Sequence, residues 1–221
     1  LDLSDNGFKF SQKGTALIVR VEGVPLIHED EHIIVVNKPP GMLSQPGRTI
    51  YDSVETRIRQ ALGIPSEPVL VHRLDMDTSG LMLLAKNRSS HRHLQQQFEK
   101  RRIGKRYRAL LEKMPEALGG LVDLPLRLDI ENRPKQLVCF EHGKNSTTAW
   151  HRDPAARNGV VLYPLTGRSH QLRVHLADPF GLGIPIKGDR LYGSPDFPDV
   201  QERMMLHADF ISFDHPVSGR R

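Results

Sequence analysis

Cysteine is all but missing: the 221 residues hold one, Cys139. A lone thiol closes no internal disulfide and finds no second thiolate for a metal, so neither a disulfide framework nor a cysteine-built metal centre stabilises this chain. Cys139 reads as a half-buried strand residue. No stretch is long and apolar enough to span a bilayer. Leu1 to Lys13 is polar, carries Asp2 and Asp5, and lacks the basic start and apolar run of a secretory leader, so a cytoplasmic protein is expected. A glycine-rich phosphate loop is missing as well. Gly181-Leu182-Gly183 is followed by neither x-x-Gly nor Gly-Lys-Ser/Thr, which leaves a nucleotide cofactor without support. Internal repeats and low-complexity segments are absent.

What is present is the composition of one globular domain. Hydrophobic residues make up 38% and charged residues 26%, ordinary for a globular chain, and this length buries a core without staples. Lys plus Arg outnumber Asp plus Glu by 31 to 26, and the sequence pI is near 9.5. That balance suits a polyanionic partner.

Thr15 to Val21 and Ile33 to Val36 are β-branched, apolar runs that read as strands, the second ending in the turn Asn37-Lys38-Pro39-Pro40-Gly41. Asp52-Ser53-Val54-Glu55 has capping-box spacing. It opens a helix with Val54, Ile58, Ala61 and Leu62 on one face and Gly63 at its end. A second helix is predicted from Ser89 to Lys100, burying Leu94 and Phe98 and ending in the basic cluster Lys100, Arg101 and Arg102. Lys105 to Leu111 then reads as a strand with Tyr107, Ala109 and Leu111 on one face and Arg106 and Arg108 on the other. Further strands are expected at Lys135 to Phe140, Thr147 to Arg152, Gly159 to Tyr163 and Met205 to Phe213, with a short helix near His170 to Leu176. Strands outnumber helices in no βαβ order, so the fold class is α+β with a central, largely antiparallel or mixed sheet.

His28-Glu29-Asp30-Glu31-His32 matches the zinc-protease pattern H-E-x-x-H. That chemistry needs both histidines one turn apart on a helix, whereas Pro25 precedes the pattern and a strand follows it, so it reads as a turn between strands. Asn87-Arg88-Ser89 and Asn145-Ser146-Thr147 fit the glycosylation pattern by chance.

Two stretches are dense in reactive side chains. Val71-His72-Arg73-Leu74-Asp75-Met76-Asp77-Thr78-Ser79-Gly80 reads as a loop before the strand-like Leu81 to Ala85. It is either a polar turn whose hydroxyls bond their own backbone or a functional loop on a rigid scaffold. Thr166-Gly167-Arg168-Ser169-His170-Gln171-Leu172-Arg173-Val174-His175 packs cations around a helix start. It is either an exposed basic helix or a place where Arg168 and Arg173 hold a phosphate or a carboxylate.

These two stretches, the strand Lys105-Arg106-Tyr107-Arg108-Ala109, the opening Val35-Val36-Asn37-Lys38-Pro39-x-Gly41 and the closing Leu206-His207-Ala208 occur in an order and spacing that resemble the RluA family of pseudouridine synthases. The resemblance covers about Pro25 to Pro216. Pro46-Gly47-Arg48, Asp52-Ser53-Val54 and Asn132-Arg133-Pro134-Lys135-Gln136 are most similar to the branch that modifies both ribosomal and transfer RNA. Residues 1–23 match nothing in the family and form an extension of unassigned role. Residues 24–221 would be the catalytic domain, shortened at its C-terminus.

The resemblance implies an isomerase that flips a uridine out of structured RNA, breaks C1′–N1 and rejoins the uracil through C5. The atom inventory is unchanged, so no cofactor is expected. Asp75 would be the catalytic carboxylate, acting as a base on the 2′ proton or as a nucleophile at C1′; both remain open. Arg168 would pair with Asp75 and keep it ionised. Tyr107 would stack on the target base, Arg73 would enter the RNA stack left open by flipping, and Leu206 would line the uracil pocket. Arg101, Arg102 and Arg106, with Lys100, Lys105 and Arg108, form the candidate phosphate-binding surface. A monomer acting on RNA, with no membrane or metal, is the expectation. The alternative is a non-catalytic RNA-binding module or RNA chaperone on the same fold, against which the intact Asp75 argues.

Overall fold

The run Ile33-Ile34-Val35-Val36 is apolar on both faces and extends to Lys38 as β2 (Ile33–Lys38). The structure, a computed structural model, describes residues 21–63, 69–195 and 203–221. The strand expected over Thr15 to Val21 lies outside these, apart from Val21. An unexpected strand, β1 (Leu26–Glu29), pairs antiparallel with β2. Asp30 Oδ1 accepts from the backbone N–H of His32 (2.7 Å) and Ile33 (2.9 Å), closing the turn between them. The H-E-x-x-H pattern thus lies on a strand end and a turn.

The first helix, α1 (Val54–Leu62), begins one residue later than the Asp52…Glu55 spacing implies. Ser53 Oγ accepts from Thr56 N at 3.1 Å while Ser53 N donates to Thr56 Oγ1 at 2.9 Å. Asp52 is drawn instead to Arg57, at 2.7 Å. Val54 and Ile58 are buried, Leu62 partly so, and Ala61 is exposed because it falls beside the i, i+4, i+8 stripe. Gly63 ends the helix at φ 65°, as its position predicts. In α2 (Arg88–Glu99), Asn87 Oδ1 accepts from Ser90 N at 2.9 Å, so this Asn-x-Ser is a helix cap.

The remaining elements are β3 (Ser79–Ala85), β4 (Gly104–Leu110), β5 (Gly119–Asp123), β6 (Leu126–Leu128), β7 (Gln136–Val138), β8 (Thr147–Arg152), β9 (Gly159–Pro164), α3 (Gln171–Ala177) and β10 (Leu206–Ser212). The glycine-led β5 and the three-residue β6 have too little pattern to be read from sequence. Eight strands form one sheet in the order β1-β2-β3-β10-β4-β9-β8-β5, and β6 pairs with β7 apart from it. Pairing is antiparallel except between β3 and β10, so the α+β, mixed-sheet expectation holds.

The chain's last described strand thus lies between β3 and β4. Its register puts Ala208 opposite Gly80 on one side and Tyr107 on the other. Gly80 has φ 119°, and a Cβ there would come within 2.3 Å of the Ala208 carbonyl oxygen. The glycine lets the two backbones approach.

Alternate residues of β2 and β3 feed different cores. Ile34, Val36, Met82 and Leu84 pack with Val54 and Ile58 of α1, whereas Ile33, Val35, Leu83 and Ala85 pack with Leu94 of α2. Each such buried Val, Leu, Ile or Met contributes roughly 1.5–3 kcal/mol. A third core gathers Ala109, Leu111, Leu162 and Leu206 around Leu172 and Leu176 of α3. Tyr107 touches both the α1 and the α3 cores. Val21 and Val24 belong to the α1 core, so packing is continuous across the boundary drawn at residue 24.

Candidate active site

The loop from Val71 to Thr78 is held from several sides. Lys38, at the end of β2, is 0% exposed. Its Nζ donates to the carbonyl oxygens of Pro39 (2.9 Å), Met42 (2.8 Å) and Met76 (2.8 Å). Burial pulls this ammonium down to about 8, with Asp77 and Asp75 opposing the shift. Gly41 N donates to Met76 O at 2.9 Å. Ser44 Oγ donates to Leu74 O at 2.7 Å and accepts from Leu74 N at 3.0 Å. His72 Nε2 accepts from Leu83 N at 2.9 Å, and its ring stacks on Phe98 with centroids 4.9 Å apart. Burial, helped by Lys105, pushes this histidine down to about 3, so it is a neutral anchor.

On this clamped loop Asp75 is half-buried. Its backbone oxygen accepts from Thr78 N at 3.1 Å, closing a turn, while its carboxylate makes no hydrogen bond or ion pair with any described residue. A carboxylate held in place but left unpaired is available to a substrate. Tyr107 reaches the same region through the Gly80–Ala208–Tyr107 register. Burial, and then the Asp75 charge, hold its phenol protonated far above the ordinary tyrosine range. Ser79 is a hub behind the loop: its Oγ lies 2.9 Å from His207 Nδ1 and accepts from Arg203 Nη1 at 2.9 Å.

The second motif divides its two arginines. Every residue from Gln171 to Leu176 is buried, so Arg173 points into the molecule. There it meets Asp189 through Nε–Oδ2 (2.7 Å) and Nη2–Oδ1 (2.6 Å). Burial opposes its charge, but the Asp189 carboxylate and the Asp75 field together raise its pKa. Arg168, which the sequence reading pairs with Asp75, is exposed. Its Nε donates to Asn145 O at 3.3 Å, and it makes no ion pair with Asp75. The physical reason is that α3 starts at Gln171, leaving Arg168 in the preceding turn.

His170 caps α3 at φ 52°. Its Nδ1 lies 2.8 Å from Tyr192 Oη, which accepts from Gln136 N at 2.7 Å. The phenol proton is therefore free to go to His170. Burial lowers the His170 pKa against the pull of Asp75, and burial raises Tyr192 to about 12. The Arg173 guanidinium stacks over the Tyr192 ring at 5.1 Å.

Arg73 is exposed beside Asp75. Leu206 is 2% exposed and packs in the α3 core, opposite Ala109. Arg101 and Arg102 are exposed past the end of α2. Arg106, by contrast, is held by Asp209 at 2.9 Å, and Arg108 by Asp209 at 2.9 Å and by Asp153. Their charges are already matched, which removes both from the free basic surface. Lys38, Ser44, Asp189 and Tyr192 escaped the sequence reading as site residues. Lys38 carried the one available signal, its place in the Asn-Lys-Pro-x-Gly turn.

The mixed sheet that carries Asp75 before β3 and the partly buried Tyr107 on β4 has parallels among solved structures. Human RNA Pseudouridylate Synthase Domain Containing 1 matches with TM-score 0.71 at 28% identity, covering 91% of this chain and 80% of that one. Human RNA Pseudouridylate Synthase Domain Containing 4 matches with TM-score 0.66 at 26% identity, covering 85% and 83%. The class is thus that of pseudouridine synthase domains. The model of the RNA pseudouridylate synthase family matches residues 32–178. The dual-specificity RNA pseudouridine synthase RluA of Salmonella typhimurium is 46% identical over 201 residues, 88% of each chain, and that of Pasteurella multocida is 43% identical over 198 residues, 87% of this chain and 88% of the other. This chain belongs to the RNA pseudouridylate synthase family, within its RluA group, and is an isomerase that acts on RNA.

Proposed function

We propose that this enzyme converts chosen uridines of ribosomal and transfer RNA to pseudouridine, with Asp75 as its catalytic carboxylate. The observation that carries the reading is the unpaired Asp75 carboxylate on a loop clamped by Lys38, Ser44 and His72. The dual specificity of the RluA relatives supports two RNA classes. In the reaction C1′–N1 breaks, the uracil turns, C1′–C5 forms, and the proton lost from C5 is balanced by one gained at N1. Asp75 begins it, as a base at the 2′ position or as a nucleophile at C1′.

Arg173, held inside the molecule by Asp189, supplies a buried positive charge that interacts with the Asp75 charge. Tyr107 lies under the flipped base and Leu206 supports the pocket from the core. Arg73 enters the vacated stack, offsetting part of the few kcal/mol that flipping costs. Arg101, Arg102 and Arg168 remain as exposed cations for phosphates. Residues 24–221 act as the catalytic unit, as a monomer, since one chain supplies every group named. RNA as substrate supports a cytoplasmic place of action.

The test is tritium release from transfer and ribosomal RNA carrying uridine tritiated at C5. Release by the parent and none by Asp75→Asn is expected. No release from either RNA, with salt-sensitive binding and a folded protein, overturns the catalytic reading in favour of an RNA-binding module.

A further inference from the structure

Two large aromatic rings to which the proposed reaction assigns no role stand in solvent. Phe140 and Phe180 are 66% and 72% exposed. They meet edge to face, with centroids 5.4 Å apart and planes at 89°. Tight turns on separate segments present them. Around Phe140, Cys139 N donates to Pro125 O at 2.9 Å and Gly143 N to Cys139 O at 2.8 Å. Around Phe180, the Phe180 N–H donates to Asp178 Oδ1 at 2.9 Å and Gly181 N to Asp178 O at 2.8 Å. A Cβ on Gly143 would lie 2.3 Å from Cys139 O, and one on Gly181 would lie 2.1 Å from His175 O. Both turns are closely packed, so the rings are held ready rather than ordered on binding.

The pair is linked through α3 and β7 to His170 and Tyr192. His170 caps the start of α3 and Phe180 follows its end; seven residues at about 1.5 Å each span about 10 Å. That is about three nucleotides at a stacked rise of about 3.4 Å. β7 runs the same way, with Gln136 bonded to Tyr192 at the His170 end and Phe140 just past its other end. Asn145, after the Phe140 turn, accepts from Arg168 at 3.3 Å. Residues 126–145 hold Arg127, Arg133, Lys135 and Lys144 against Asp129, Glu131 and Glu141 in number, a small positive excess suited to a backbone rather than to tight anion binding.

We infer that Phe140 and Phe180 form a stacking platform for unpaired bases flanking the target uridine, so that the enzyme holds a single-stranded segment of its substrate as well as the flipped nucleotide. This rests on the synthase reading above. Aromatic faces accept any base, which suits an enzyme that works on more than one RNA.

The experiment compares the parent with Phe140→Leu, Phe180→Leu, the double Leu variant and the corresponding Tyr variants. Affinity is measured for a labelled RNA hairpin with an open loop and for a fully paired duplex, alongside tritium release from transfer RNA. The double Leu variant should lose about tenfold in hairpin affinity, raise KM with little change in kcat, and bind duplex as the parent does. The Tyr variants should match the parent. Thermal melting should be unchanged, because the rings are exposed. The platform is overturned if the Leu variants keep parental hairpin affinity, or if hairpin and duplex weaken alike. It is also overturned if only self-association changes, which would make the pair a protein contact. A parent that releases no tritium refutes the synthase reading instead, whatever the variants do.

Discussion

Lys38 Nζ donates to the Met76 carbonyl at 2.8 Å, so a buried ammonium at the end of β2 holds the residue next to Asp75. The same nitrogen bonds Pro39 and Met42, tying two loops 38 residues apart into one rigid unit. Lys38→Met keeps the volume but strands those carbonyls. It should cost about 3 kcal/mol of stability and, by loosening the loop, about a hundredfold in kcat. Urea melts and single-turnover rates check the two effects separately.

The same lysine gives a pH signature. Its folded pKa of about 8 is below the ordinary 10.5, so the folded chain sheds this proton first as pH rises. Its contribution to unfolding free energy therefore increases between about pH 8 and 10.5. The neutral amine has one donor fewer for its three carbonyls, so kcat should fall above pH 8. Lys38→Met should lack both the rise in stability and this limb of the kcat profile.

Acid acts through two neutral histidines, one half-buried and one buried. His72 is pushed down to about 3 and His175 to about 4, each chiefly by burial. His175 bridges Ser146 Oγ (2.9 Å) and Thr148 Oγ1 (3.0 Å). In the unfolded chain both take a proton near 6.5, which the folded chain refuses. Stability present above pH 6.5 should drain away as pH falls toward 4. The variant His72→Gln should show a shallower decline in urea midpoint; an equal slope would remove His72 from this account.

The two arginines of the second motif should behave differently. Arg173→Ala leaves Asp189 charged and 1% exposed, which should cost about 3–5 kcal/mol and abolish turnover. Arg173→Lys should recover charge without the paired geometry and restore activity only in part. Arg168→Ala should melt like the parent and raise KM. A loss of kcat as deep as that of Arg173→Ala would show that Arg168 moves onto Asp75 when RNA binds.

Tyr107→Phe keeps the ring between its two cores and removes only the hydroxyl. If that hydroxyl helps move the C5 proton, tritium release should slow by about a hundredfold with little change in melting temperature. Unchanged release would confine Tyr107 to packing and stacking.

The amino-acid pattern by itself determined the elements with strong local signals and marked out the loop that carries the proposed catalytic carboxylate. Ile33 to Val36, Thr147 to Arg152 and Gly159 to Tyr163 declare themselves as strands because β-branched runs need only their neighbours to be read. Gly63 and the stripe Val54, Ile58 and Leu62 declare α1 for the same reason, although its cap fell on Ser53 once Asp52 found Arg57. The loop of Asp75 stood out because it crowds reactive side chains into ten residues, and the family resemblance singled out Asp75 within it.

Only the tertiary structure decided which groups reach it. Arg173 is buried against Asp189 and Arg168 is exposed because α3 begins at Gln171 and turns Arg173 inward. Arg106 and Arg108 lost their free charge to Asp209, which lies about a hundred residues away in the chain and joins them only because β10 pairs with β4. Gly80 is required by Ala208, a contact that exists only because β10 inserts between β3 and β4. Local propensity acts over a few residues, whereas the loop clamp, the ion pairs and the central register are set by strands that meet across most of the chain.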